Sequence, residues 1–162
     1  DVKRVNLPAQ TLVKVALSKT LDSATAEVGD EVIYRVTEDV MVDGRVVIPA
    51  ETTSVARVSE VTAAGRLGKD GRILIDFGSV LALDGTPIRL KVDERATEKN
   101  RSLELAAGAS MAGIILLGPV GLVGGYFVRG KDVQIEANTQ FYVETERAVP
   151  VLGFYFRPAL GQ

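Results

Sequence analysis

Two pairs of acids stand close together in this chain, Asp39 with Asp43 and Asp30 with Glu31. Carboxylates at such spacing are the raw material of a general acid–base pair or, with several more oxygens, of a calcium site. No spacing here matches a calcium-binding loop, and both pairs fall where strands begin or turn, so they read as solvated turn acids. The fragment GRLGKDGR (65–72) has the glycines and the charge of a phosphate loop. It lacks the Gly-Lys-Ser/Thr ending and opens no helix, so it reads as a hairpin loop. Histidine and cysteine are both absent. That excludes histidine general bases and triads, imidazole and thiolate metal ligands, thiol nucleophiles and disulfides. No catalytic residue, cofactor or metal ligand emerges, and the expectation is a protein that is not an enzyme. A net charge of −2 and a pI near 5.3, with no row of basic and aromatic residues, argue against a nucleic-acid partner.

The elements that carry these residues are mostly strands. TLVKVAL, EVIYRVTEDV, RVVIP, TTSVARVSEV, RILIDFGSV and TPIRLKV are rich in β-branched residues and alternate apolar with polar. Period two suits strands with one buried face. It places Val13, Val15, Leu17, Val32, Tyr34, Val36, Val46, Ile48, Ile73, Ile75 and Phe77 inward. Turn signals separate the runs at Gly29-Asp30, Asp43-Gly44, Gly68 to Gly71 and Asp84-Gly85, and Asp-Gly between strands is a hairpin signature. An antiparallel β-barrel or sandwich follows. With 162 residues the expectation is a single β-domain spanning 1–162, interrupted by an inserted segment at 93–128.

That insertion changes character twice. DERATEKNRSLE (93–104) is crowded with charge and nearly free of β-branched residues, which favours an exposed helix. Leu105 to Val128 then runs twenty-four residues without a charge, between Glu104 and Arg129. A single membrane-spanning helix needs ~20 apolar residues. Gly118-Pro119 interrupts the run, and proline breaks helices. The halves 105–117 and 120–128 would reach only ~20 Å and ~14 Å as helix, too short to span singly. The expectation is a Gly-rich apolar hairpin, helical in character, folding back at Gly118-Pro119. Its small residues recur three or four apart, a spacing that lets helix backbones approach closely. The candidate assembly interface is therefore Gly108, Ala109, Ala112, Gly113, Ile114, Ile115, Leu116, Leu117, Gly118, Pro119, Gly121, Leu122, Gly124 and Gly125. The partner it implies is another copy of the same chain, with membrane contact through Leu105 to Val128 a compatible alternative. A plain intramolecular core is the third reading.

LPAQTLVKV (7–15), IPAETTSVARV (48–58) and IEANTQFYV (135–143) form a weak repeat: an apolar residue, Pro or Glu, Ala, a variable position, then Thr and a strand. Pro8 and Pro49 preset φ for a tight turn, and the position before Thr calls for positive φ. Asn138 tolerates that conformation. Gln10 and Glu51 do so less readily, which predicts mild strain or another turn type.

On these residues the chain resembles a group of poorly characterised bacterial envelope β-proteins. Their pattern is a Leu-Pro-Ala-Gly-Thr start, a DSATAxVGD segment, a VIPAGT turn, a Gly-rich apolar stretch and then GKDVxIPAGT. Leu7 to Thr11, Asp22 to Asp30, Val47 to Thr52 and Gly130 to Thr139 carry the match. Gln10, Glu51 and Asn138 stand where the pattern has Gly, and Glu136 where it has Pro. More distantly, the order of elements resembles the C-terminal domain of the type IV secretion outer-membrane channel protein, a β-barrel with a helical hairpin inserted before its last strands. The resemblance implies an oligomeric envelope protein. With a chain opening at Asp1, it favours an exported protein of the bacterial cell envelope or surface. The expected function is structural: self-assembly into a ring, pore or filament through the Gly-rich segment. The alternative is a binding module for a cell-wall or surface polymer, which an aromatic stripe would favour; Tyr34, Phe77, Tyr126, Tyr142 and Tyr155 are scattered instead.

Overall fold

The fold is given by a computed structural model. It describes residues 2–65, 71–107, 121–123, 126–129 and 133–155, with 103–107, 121–123 and 126–129 described as backbone only. The strands in chain order are β1 (Val2–Leu7), β2 (Leu12–Leu17), β3 (Leu21–Asp22), β4 (Glu31–Val36), β5 (Val40–Val42), β6 (Arg45–Ile48), β7 (Thr53–Thr62) and β8 (Gly71–Asp76). There follow β9 (Ser79–Leu81), β10 (Pro87–Lys91), the helix α1 (Glu94–Ala107), β11 (Gly121–Val123), β12 (Tyr126–Arg129), β13 (Gln134–Ile135), β14 (Gln140–Thr145) and β15 (Val149–Phe154). The protein is mainly β, built of antiparallel sheets curled into half-barrels. One sheet has the order β1-β15-β6-β5, and its outer strands β1 and β5 approach each other. The other runs β11-β12-β8-β7-β4-β2-β14-β10-β9, and β13 pairs with β3.

Period two is read correctly by the packing. All eleven residues expected inward are buried, from Val13, Val15, Leu17, Tyr34 and Ile73 at 0% exposure to Val46 at 7%. Tyr34, Phe77 and Phe141 bridge the strands edge-to-face, with ring centroids 5.4 and 5.8 Å apart. The Tyr34 hydroxyl donates to the Phe77 carbonyl at 2.8 Å, so the phenol is buried without an orphaned polar group. Burial, eased by a Ser54 hydrogen bond and reinforced by the Asp76 charge, pushes its pKa up to about 12.

Two long runs are each divided. EVIYRVTEDV becomes β4 and β5, separated at 37–39, and RILIDFGSV becomes β8 and β9, separated at Phe77 and Gly78. Gly78 takes φ 58°, so the chain can leave one pairing partner and turn towards another. β1 is absent from the strands expected from sequence. It earns its place through an unbroken six-residue ladder with β15, Val2↔Phe154 to Leu7↔Val149. Gly153 lies within that ladder because a Cβ there would meet the Arg45 Cβ at 2.8 Å.

The turn repeat places a left-handed residue at the same position three times. Gln10, Glu51 and Asn138 have φ of 62°, 72° and 66°. Thr52 and Thr139 donate backbone N–H groups to Pro49 and Glu136 at 3.3 and 3.2 Å, the four-residue turn with positive φ at its third position. In the first two copies the left-handed residue and the following Thr share one residue on the neighbouring strand. Gln10 N–H donates to the Thr145 carbonyl while Thr145 N–H donates to Thr11. Glu51 N–H donates to the Val36 carbonyl while Val36 N–H donates to Thr52. That is a β-bulge whose first position ordinarily holds glycine. Asp43 and Gly44 likewise both take positive φ, as the hairpin between β5 and β6 requires.

Candidate assembly element and its anchors

The uncharged run begins in the last turn of α1 and ends in β11 and β12. Both attachments are built from residues around it.

α1 begins as the composition of 93–104 dictates. Asp93 closes its first turn: the carboxylate accepts the Glu94 N–H at 2.8 Å and the carbonyl accepts the Thr97 N–H at 2.9 Å. The Lys91 ammonium, 3.0 Å from Asp93, is the main cause that holds the Asp93 carboxyl below the usual carboxylate range, helped by the Glu94 N–H. The same contact raises Lys91. Glu94, Arg95, Glu98, Arg101 and Ser102 are exposed, and Ala96 and Asn100, one turn apart, are buried. The helix therefore docks along a narrow stripe.

Polar groups make that dock. β14 has β10 beside it only at Lys91↔Glu144 and Leu90↔Thr145, so Tyr142 has no strand partner on that side. Asn100 takes the place of one. Its Oδ1 accepts the Tyr142 N–H at 2.7 Å, and its Nδ2 donates to the Tyr142 carbonyl at 3.1 Å. One amide side chain thus satisfies a backbone donor and acceptor that burial would otherwise leave costly. Glu144 is fully buried, and its Oε1 accepts the Ala96 N–H at 3.0 Å. Its Oε2 has no hydrogen-bond partner among the described residues. The positive end of α1 and the Lys91 charge across the ladder offset the buried carboxylate. Tyr142 itself lies under two ammoniums, Lys14 at 5.7 Å and Lys99 at 5.6 Å from its ring centroid, so α1 is tied to β14 by charge as well.

The return is a correction to the helical hairpin expected from sequence. Of residues 120–128, Gly121–Val123 and Tyr126–Val128 lie in strands, paired Gly121↔Val128, Leu122↔Phe127 and Val123↔Tyr126. β12 then pairs with β8, Tyr126↔Leu74 to Arg129↔Gly71. The physical reason is the unpaired edge of β8: each residue laid along it satisfies backbone groups that a short isolated helix would satisfy only internally, and aromatic and β-branched residues suit strands. Of the fourteen residues assigned to assembly, Gly121 and Leu122 belong to β11. Gly108, Ala109, Ala112, Gly113, Ile114, Ile115, Leu116, Leu117, Gly118, Pro119, Gly124 and Gly125 lie outside the described residues, as does the loop 66–70.

Asn100 and Glu144 escape sequence reasoning. Period two along QFYVETE puts Glu144 outward with Tyr142, which is where it points; only the cover supplied by α1 makes that side buried. Asp39 and Asp43 do not converge on a site: Asp39 accepts the Ala50 N–H at 2.7 Å, and Asp43 forms the β5–β6 turn. Asp30 accepts the Glu27 N–H at 2.9 Å, and Glu31 pairs with Arg57. Among the described residues no three or more His, Cys, Asp or Glu side chains gather as metal ligands. No helix among them is long and apolar enough to cross a membrane.

No protein family matches the chain, and no curated protein does. Among solved structures the chain is similar to ComB10 of the Com type IV secretion system of Helicobacter pylori, at 12% identity over 88% of each chain, with a TM-score of 0.46. Identity and TM-score this low transfer neither family nor function. The resemblance to LPAGT-type envelope proteins is supported by no family model and by no curated protein.

Proposed function

We propose that this protein is a non-enzymatic structural component of the bacterial cell envelope or surface that assembles with copies of itself through the Gly-rich segment. The observation that carries the reading is the placement of the uncharged run. Both of its ends are anchored to the framework, by α1 latched to β14 and by β12 laddered to β8. An uncharged apolar run of this length, if left exposed on a monomer, would invite association. Burying Ile114, Ile115, Leu116 and Leu117 between copies would contribute ~1.5–3 kcal/mol for each large side chain. Small residues three and four apart allow close backbone contact, and membrane contact by the same segment is compatible with a ring of copies.

The test is the mass of the native particle. Wild type is expected to sediment well above its 17.3 kDa chain mass. Gly113→Leu, which holds backbones apart, and Leu116→Glu, which places a charge in the contact, should both dissociate it while the β circular dichroism is unchanged. A monomeric wild type at tens of micromolar, or two variants that keep the particle mass, would overturn the reading.

A further inference from the structure

A groove of about 470 Å³ opens between the β9–β10 ribbon and the turn joining β14 to β15. We propose that it binds an extended segment of another polypeptide through a side-chain carboxylate flanked by aliphatic residues. This goes beyond the assembly reading, since none of the lining residues among the described residues belongs to the uncharged run.

The ladder register builds one wall. Ser79 pairs with Arg89 and Leu81 with Pro87, so these four side chains share one face of the ribbon, while Val80 and Ile88 are buried on the other. Leu81 is 56% exposed, a large apolar side chain opposite the lining residue Pro87 in the ladder. Val149 and Pro150 form the opposite wall. Charge enters only from arginine. Arg147 makes no ion pair or hydrogen bond among the described residues. Arg89 holds Glu146 at 3.5 Å and Asp76 at 3.8 Å, long pairs between exposed groups that an incoming carboxylate can displace or share. Pro87 and Pro150 carry no N–H, so the side-chain donors lining the groove are the Ser79 hydroxyl and the two guanidiniums, and the guanidiniums favour a planar carboxylate.

The apolar flanks select a polypeptide over a bare anion. Pro87, Val149, Pro150 and Leu81 offer aliphatic contact on both sides of the charge, which a free ion cannot use.

The probe is acetyl-Leu-Glu-Leu-amide, titrated to millimolar concentration into the isotope-labelled protein and followed by amide chemical shifts. Shifts should cluster at Ser79 to Leu81, Arg89 and Arg147 to Val149. The Gln counterpart should bind at least about fivefold more weakly, because a hydrogen bond to a charged acceptor exceeds one to a neutral acceptor by roughly that factor. Arg147→Ala should weaken the Glu peptide to a similar degree, and Leu81→Ser should weaken both peptides with no change in fold by circular dichroism. Equal binding of the Glu and Gln peptides, scattered shifts, no saturation by about 10 mM, or inorganic phosphate matching the Glu peptide would each overturn the proposal.

Discussion

Gln10 sits at φ 62° with an exposed side chain, in the bulge where its N–H bonds to Thr145 at 2.9 Å. A left-handed conformation costs a non-glycine residue ~1–2 kcal/mol. Glycine there removes that strain and gives back ~0.5–1 kcal/mol, because the unfolded chain becomes more flexible. Neither contribution involves a lost contact, since the backbone hydrogen bond survives and the side chain faces water. Gln10→Gly should therefore stabilise the fold by ~0.5–1 kcal/mol, or a few degrees in Tm for a chain of this size. Gln10→Val should destabilise it by ~1–2 kcal/mol, because a β-branched side chain fits left-handed backbone worst. Glu51→Gly is a less clean case, since Glu51 also pairs with Arg35 at 3.4 Å on the surface. Asn138→Gly should stay within ~0.5 kcal/mol of wild type, because asparagine already tolerates the conformation. Urea denaturation of the four variants measures all of this. A Gln10→Gly variant no more stable than wild type, beside a Gln10→Val variant indistinguishable from it, would refute the argument.

Gly153→Ala should lower stability by ~1–3 kcal/mol, because the new methyl would sit 2.8 Å from the Arg45 Cβ and 3.3 Å from the Val5 Cγ2, neither of which can swing away. The measurement is again the denaturant midpoint, with an unchanged midpoint counting against the β1–β15–β6 register. Tyr34 supplies a pH dependence. Its folded pKa of about 12 stands above the ordinary 10.0, so its contribution is whole below pH 10 and is lost as pH rises through about 12. The loss amounts to ~3 kcal/mol. Tyr34→Phe should flatten that alkaline slope and cost ~1–3 kcal/mol at neutral pH by stranding the Phe77 carbonyl, and a wild-type slope in the variant would show that another group titrates.

What the sequence determined by itself is the set of faces and turns. Alternation marks which side of each strand is apolar, so Val13, Val15, Leu17 and Tyr34 could be placed inward before their neighbours were known. Asp43-Gly44 marks a hairpin because both residues accept positive φ, and the recurring Ala-X-Thr marks three left-handed positions. The charged 93–104 segment marks an exposed helix, because it has no apolar face wide enough to bury. All of these are local properties, written within a few residues. Pairing is not local. β1 meets β15 across almost the whole chain, and its short, mostly exposed sequence carries little sign of a partner supplied by Val149–Phe154. Tyr126–Arg129 becomes strand because β8 offers a free edge, a fact absent from its own residues. Glu144 and Asn100 are ordinary polar residues in sequence and become anchors only once α1 lies across β14. The Arg147 groove exists because the β9–β10 ribbon and the β14–β15 turn, distant in sequence, arrive side by side. Hydrogen-bond partners and the burial of a charge depend on what the rest of the molecule brings alongside, and only the tertiary structure decides that.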